Sequence, residues 1–333
     1  MSMRVAVLGA GSWGTTVAHL CAYNAPTTIY ARRSDVAEAI NERNENPAYL
    51  AGFSLHPELR ASDDLAAVVR DADLLVMGVP SGSFRDTLVE VRKHLRPWVP
   101  VVSLAKGLEL GTGKRMTELV DEELPGHPVG VLTGPNLAKE ILAGSAAAAV
   151  IAFTDHTIAY RLQDIFSSQL FRVYTSTDVV GCELGGALKN VIALAAGMAD
   201  GLGTGDNTRA AVMTRGLAEL TRLGVALGGD PATFAGLAGM GDLLATCMSP
   251  QSRNRHVGEE LGKGRTLEEI RAEMNQVAEG VKSAPIVCEL AEANGVYMPI
   301  ADQMRACVQE GRTALQAYAG LVKNPAAREI DPH

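Results

Sequence analysis

A chain of 333 residues is long enough for about two domains, and with 47% of its residues hydrophobic it can bury a sizeable core. Its 38 acidic and 30 basic residues leave a net charge of −8, which argues against broad binding to nucleic acid or anionic membranes. A few local arginines or lysines could still hold a small anion. The five cysteines (Cys21, Cys182, Cys247, Cys288, Cys307) form no CxxC pair and read as free thiols of a reducing compartment. The opening MSMRVAVLGAG has too short an apolar run for a secretory signal, and the low-charge run 141–153 is too short to span a bilayer. A soluble, cytoplasmic protein without stable membrane insertion is therefore expected.

In chain order, MRVAVLG (3–9) predicts a strand, followed by a helix near 13–24. TTIYA (27–31) predicts a second strand and a helix near 35–44. Buried strands follow at 73–80, 99–105 and 127–133, each bounded by Gly or Pro, and late strands at 146–153 and 171–176. Continuous apolar runs of this length suit strands covered on both faces. The alternation predicts an α/β unit, a Rossmann-type doubly wound parallel sheet. From residue 178 the strand signals stop. Helical patterns follow near 178–200, 206–227, 250–262, 278–294 and 299–310, separated by Gly-rich joints. Two domains are expected: 1–177 for nucleotide binding, and an all-helical 178–333 for substrate and catalysis.

Gly9-x-Gly11-x-x-Gly14 follows the first strand and opens a helix. Gly9 permits the tight turn, Gly11 lets backbone approach a pyrophosphate, and Gly14 lets helix and strand pack closely. The pyrophosphate then meets the free N–H groups of the helix start. At the end of the second strand, where NAD binders usually carry an acid, stand Arg32 and Arg33. These suit the 2′-phosphate of NADPH/NADP, with NADH/NAD use left open. Asp35 reads as an N-terminal residue of the next helix. GLELGTGKR (107–115) only imitates a phosphate-binding P-loop: Leu108 replaces its first Gly, and Arg115 its Ser or Thr. The seven histidines show no metal spacing, so no metal site is expected.

In GGALKNVIALAAGM (185–198), Lys189 shares a helical face with Gly185, Gly186, Ile192 and Ala193. That pattern fits close helix packing with a snorkelling lysine, or a lysine given room to meet a ligand.

Four further stretches resolve the choice: SLAKGLE around Lys106, TGPNLAKE at 133–140, ELGGALKN with Lys189, and GLAGMGDLLATCMSPQSRNRHVG at 236–258. With GAGSWGT and VAEGVKS, they make the chain resemble, over nearly its whole length, the bacterial-type NAD(P)-dependent glycerol-3-phosphate dehydrogenases. The resemblance implies a Rossmann-type domain before a helical one, with the active site between them. It also implies reversible reduction of dihydroxyacetone phosphate to sn-glycerol 3-phosphate, which supplies phospholipid synthesis, and a homodimer. Residue by residue, it assigns cofactor contacts to Ser12, Trp13, Arg32, Arg33, Lys106, Ala138, Arg253, Val277 and Glu279. Substrate contacts fall on Lys106, Gly134, Asp242, Ser252, Arg253 and Asn254, and the proton carrier is Lys189. Asn136 departs from the serine of many relatives, and its role stays open.

The chemistry agrees with these residue types. Charge grows on the ketone oxygen as hydride arrives, and a lysine ammonium can stabilise it and give up a proton. Burial near other cations, with Lys106 and Arg253 as the expected neighbours, would lower the pKa of that lysine. The glycines beside Lys189 would leave room for substrate and nicotinamide. Ser249 can cap a helix starting at Pro250, with Ser252, Arg253 and Asn254 in its anion-binding first turn. Asp242 would orient Lys189, hold a substrate hydroxyl, or cap a helix. The rival readings are a β-hydroxyacid dehydrogenase of similar plan and a non-catalytic dinucleotide-sensing protein.

Overall fold

The computed structural model describes residues 3–274 and 278–322. Two compact units emerge. One holds the residues up to 109 together with 114–179; the other holds 110–113 and the residues from 180 onward.

The first unit is built on β1 (Val5–Leu8), β2 (Thr27–Tyr30), β3 (Arg60–Ser62), β4 (Leu74–Met77), β5 (Val101–Ser103), β6 (Val129–Thr133), β7 (Ala147–Phe153) and β8 (Phe171–Ser176). Their order in the sheet is β3-β2-β1-β4-β5-β6-β7-β8. The interleaved helices are α1 (Ser12–Ala22), α2 (Ser34–Arg43), α3 (Leu65–Arg70), α4 (Phe84–Val91), α5 (Met116–Glu123), α6 (Ala138–Leu142) and α7 (His156–Phe166). The expected Rossmann-type parallel sheet is present, with one reversal: β6 and β7 pair antiparallel. Only the five-residue α6 lies between them.

Along β1 the pleat sends Val5 and Val7 to one apolar core, and Ala6 and Leu8 to another. Both faces are covered, which is why the strand reads as one apolar run. Strand β3 has no such run and the sequence does not reveal it. At this edge Asn41 of α2 stands in for a neighbouring strand: its amide donates to the Ala61 carbonyl and accepts from the Ala61 N–H.

The second unit is helical among its described residues: α8 (Val179–Gly201), α9 (Asp206–Ala226), α10 (Pro231–Phe234), α11 (Asp242–Met248), α12 (Arg253–Gly262), α13 (Leu267–Glu273), α14 (Glu279–Ala293), α15 (Pro299–Gln309) and α16 (Ala314–Val322). Helix α8 is an apolar segment that the sequence reading did not weigh as a membrane span. It is long and apolar enough to cross a membrane by length and composition, yet 94% of its most apolar window lies buried in the protein. Its apolar character therefore matches a core helix.

Helices α8 and α12 meet backbone to backbone. A methyl placed on Gly197 would sit 2.0 Å from the Arg255 carbonyl oxygen, and one on Gly258 2.0 Å from that of Leu194. Gly201 and Gly262 repeat the contact a turn further on. The pair Gly197-xxx-Gly201 thus faces Gly258-xxx-Gly262 on the partner helix. Gly185 also proves to be a packing residue: its methyl would lie 2.5 Å from the Ala238 carbonyl oxygen. The expectation that this glycine leaves room for ligand is wrong.

Candidate active site

In the first unit, Gly9 has φ +109°, a conformation costly for any side chain, and a methyl there would strike the Gly78 carbonyl oxygen at 2.7 Å. Gly14 lies tighter still, its methyl 2.0 Å from the Gly9 oxygen. The turn is thus pressed against the end of β4. Gly11 differs, since nothing lies within 4 Å of its methyl position. The backbone is open there, at the start of α1. A dinucleotide pyrophosphate fits that opening, with the helix's unpaired N–H groups as donors.

Other observations in this unit support a bound ligand. Trp13 packs its ring near Phe171, at 6.3 Å between centroids, and its indole N–H is buried with no hydrogen-bond partner among the described residues. The same holds for the Thr133 hydroxyl and both amide atoms of Asn136. Buried polar atoms without partners are costly, so a bound molecule that supplied them would be stabilised. Asn136 and Thr133 are thereby functional candidates that the sequence reading left open or missed. Lys106 joins the group by donating to the Gly134 carbonyl at 2.9 Å. Gly134 itself takes φ +134°. Ala138 begins α6 close by in sequence, half-buried. Arg32 and Arg33 are exposed just after β2. Arg33 grips Asp35 with both Nε, at 2.9 Å, and Nη2, and this hydrogen bonding raises the guanidinium pKa. Asp35 is therefore a partner for Arg33 as well as a first-turn acid of α2.

In the second unit, Lys189 is 4% exposed midway along α8. Its Nζ donates to Asp242 Oδ1 and, at 2.6 Å, to Thr246 Oγ1. Asp242 and Thr246 lie four apart on α11, on one face of that helix. An anion therefore faces the lysine, in keeping with the alternative in which Asp242 orients Lys189. Cys247 lies near the same charges, and burial pushes its thiol up to about 12. Thr246 was missed, because a threonine in LLATCM carries no signal until α11 is laid against α8.

The SPQSRN turn differs by one helical start from the expectation. Ser252, not Ser249, caps α12, its hydroxyl accepting from the Arg255 N–H at 3.2 Å. Ser249 instead closes the preceding turn, accepting from Gln251 N–H. Arg253 and Asn254 then open the helix. Arg253 is exposed as a whole residue, yet protein crowds its guanidinium enough that desolvation lowers its pKa, against the opposing pull of Glu279. Asn254 is a bridge: its Nδ2 donates to Asn190 Oδ1 at 2.9 Å, and its Oδ1 accepts from the Gly280 N–H at 2.9 Å. This links the residue beside Lys189, the start of α12 and the start of α14, where Glu279 sits. Val277 lies outside the described residues.

An α/β unit with an open glycine loop, followed by a helical unit with a buried lysine–aspartate pair, defines a dinucleotide-dependent oxidoreductase. Comparison with known proteins narrows the class. The family profile for the NAD-dependent glycerol-3-phosphate dehydrogenase N-terminus matches residues 4–159, and that for the C-terminus matches 178–319. A glycerol-3-phosphate dehydrogenase [NAD(P)+] of Sphingopyxis alaskensis is 61% identical over 332 residues, covering 100% of both chains. One from Mycobacterium tuberculosis is 53% identical, covering 98% of this chain and 96% of its own. The crystal structure of glycerol-3-phosphate dehydrogenase from Coxiella burnetii superposes with TM-score 0.92 at 34% identity, covering 97% of this chain and 99% of its own. The chain belongs to the NAD-dependent glycerol-3-phosphate dehydrogenase family.

Proposed function

We propose that this protein reduces dihydroxyacetone phosphate reversibly to sn-glycerol 3-phosphate with NADPH or NADH, supplying glycerophospholipid synthesis. The observation that carries the reading is the buried Lys189, held by Asp242 and Thr246. Bound NAD(P)H supplies the hydride that adds to the ketone carbon. The protein's part is to bind, orient and protonate. The Gly9–Gly14 turn and the start of α1 hold the pyrophosphate, with Ser12, Trp13, Ala138, Val277 and Glu279 as further contacts. Arg32 and Arg33 serve a 2′-phosphate. Lys106, Gly134, Ser252, Arg253 and Asn254 hold the phosphorylated substrate, with Lys106 and Arg253 also serving the cofactor.

Lys189 gives its proton to the oxygen that gains charge, so that ketone, hydride and proton together make the alcohol. In oxidation the neutral amine takes that proton back. Asp242 and Thr246 keep the ammonium aimed. Within this reading the enzyme is a soluble, cytoplasmic homodimer, which the family resemblance supports. A monomeric mass by analytical ultracentrifugation would refute the dimer.

The substrate class is tested by following NADPH oxidation with dihydroxyacetone phosphate, unphosphorylated dihydroxyacetone and a small oxo acid. The phosphorylated ketone should be reduced far faster than either. Binding of a non-reacting phosphate raises turnover as well as affinity, so at saturating NADPH Arg253→Ala should slow the phosphorylated ketone by roughly tenfold or more and the other two much less. Preference for the oxo acid would favour a β-hydroxyacid dehydrogenase, and no turnover with any of the three would favour a sensor.

A further inference from the structure

The glycine loop does not hold its shape alone. Between α2 and β3 the chain folds into a segment that returns to α1. The segment is closed by its own backbone, with the Leu50 N–H donating to the Asn46 carbonyl at 2.8 Å. Three polar contacts then fasten it along α1. Ser12 Oγ donates to the Tyr49 carbonyl, and the His56 N–H donates to His19 Nδ1 at 2.9 Å. Between these two, the Asn46 side chain is completely buried, its Nδ2 donating at 2.9 Å to both the Ala10 carbonyl and Thr15 Oγ1.

Ala10 lies inside the Gly9–Gly14 turn. In a trans peptide, a carbonyl and the N–H that follows it point in opposite directions. Pinning the Ala10 carbonyl to Asn46 therefore turns the Gly11 N–H the other way. Gly11 is the one glycine of this motif whose methyl position is open. A glycine-flanked peptide has little steric resistance to flipping, so something must fix this one. Asn46 can do so, because a carbonyl only accepts, and of the amide's two ends only the NH₂ donates.

We infer that Asn46 is a positioning residue of the dinucleotide site, which orients the Ala10–Gly11 peptide so that its N–H is presented to the pyrophosphate. This rests on the reading of the Gly9–Gly14 turn as the pyrophosphate site. The positioning uses the amide nitrogen alone; Oδ1 is buried with no hydrogen-bond partner among the described residues. NADPH and NADH share the pyrophosphate, so loss of Asn46 must weaken both alike. It must leave untouched a ligand that lacks that group.

The test uses the full-length enzyme with Asn46→Asp, which keeps the size but presents oxygen to the Ala10 carbonyl, and Asn46→Ala, which removes the donor without adding charge. Dissociation constants are measured by calorimetry for NADPH, NADH and adenosine 2′-monophosphate, which carries the 2′-phosphate without a pyrophosphate. Turnover is measured at saturating cofactor. Both variants should weaken NADPH and NADH by the same factor, roughly tenfold or more. Adenosine 2′-monophosphate affinity and kcat should stay within about twofold of wild type. If Asn46→Asp does not fold, Asn46→Ala decides alone. Unchanged NADPH affinity would overturn the inference. So would equal weakening of all three ligands, which would mark a general role in folding. Wild-type enzyme that binds no NADPH would overturn the cofactor reading itself, and the inference with it.

Discussion

The two units make their candidate sites from different materials. In the first, the glycine turn packs backbone on backbone: Gly9 and Gly14 press against carbonyl oxygens while Gly11 stays open, and Trp13, Thr133 and Asn136 carry buried polar atoms that nothing among the described residues satisfies. In the second, side chains hold one another. Lys189 is held by Asp242 and Thr246, and Asn190, Asn254 and the Gly280 N–H form a chain. The first site is preformed but polar atoms in it lack partners, as suits a region completed by a ligand. The second is internally bonded, as suits a proton carrier that must hold one geometry through a reaction.

The sharpest test of this contrast is Lys189→Ala. Turnover should fall by roughly 10²–10⁴-fold, the usual scale for acid–base catalysis, with NADPH affinity nearly unchanged. If NADPH affinity fell as far as turnover, the two sites would not be separable in function.

A second test follows from a satisfied side chain that the proposed mechanism does not use. Glu219 on α9 is almost wholly buried and accepts from the Ile300 and Ala301 N–H groups at the start of α15. Burial raises its pKa to about 7, against the downward pull of those bonds. The folded protein therefore holds this proton at pH values where the unfolded chain has released it. Stability from this group is full below about pH 4.5 and is lost as pH rises towards 7. In denaturant titrations, Glu219→Gln should gain on the wild type by up to about 3 kcal/mol between pH 5 and 8. A pH-independent difference would show that the carboxyl titrates normally.

Gly258→Ala probes a backbone contact inside the side-chain-built unit. The added methyl has no room beside Leu194, so stability should drop by about 1–3 kcal/mol, read as a lower denaturant midpoint. An unchanged midpoint would mean that α8 and α12 can part freely. The smallest effect should come from the exposed arginines. Because Arg33 is already engaged by Asp35, Arg32→Ala should raise the KM for NADPH more than Arg33→Ala does. The double variant should raise it roughly tenfold and leave that for NADH almost unmoved. Equal loss of both cofactors would assign the arginines to a feature that NADPH and NADH share.

The same contrast explains what could be read in advance. A site made of backbone leaves a local signature, and the glycine spacing announced the turn, its strand and its helix. A site made of side chains does not: Thr246 stands 57 residues from Lys189, and Asn254 64 from Asn190, so their pairing appears only when the helices are packed. The cap of α12 was misplaced because Ser249 and Ser252 are chemically equal candidates, and only the backbone path chooses between them. Gly185 was misread because a glycine that admits a ligand and one that admits a neighbouring carbonyl look alike in sequence. Strand β3 was missed because its three residues carry no apolar run, and its edge is completed by an asparagine 20 residues away in the chain.

The glycine seam between α8 and α12 also sets limits on how this protein can change over time. A contact made by side chains can drift, because a larger residue on one helix can be offset by a smaller one on the other. Here neither helix has a side chain left to shrink. Every single-nucleotide change at Gly197 or Gly258 that alters the residue adds atoms where a carbonyl already stands, with no compensating step available opposite. Lineages that retain the Lys189 site on this frame should therefore keep both positions fixed, even where the surrounding core is freely exchanged.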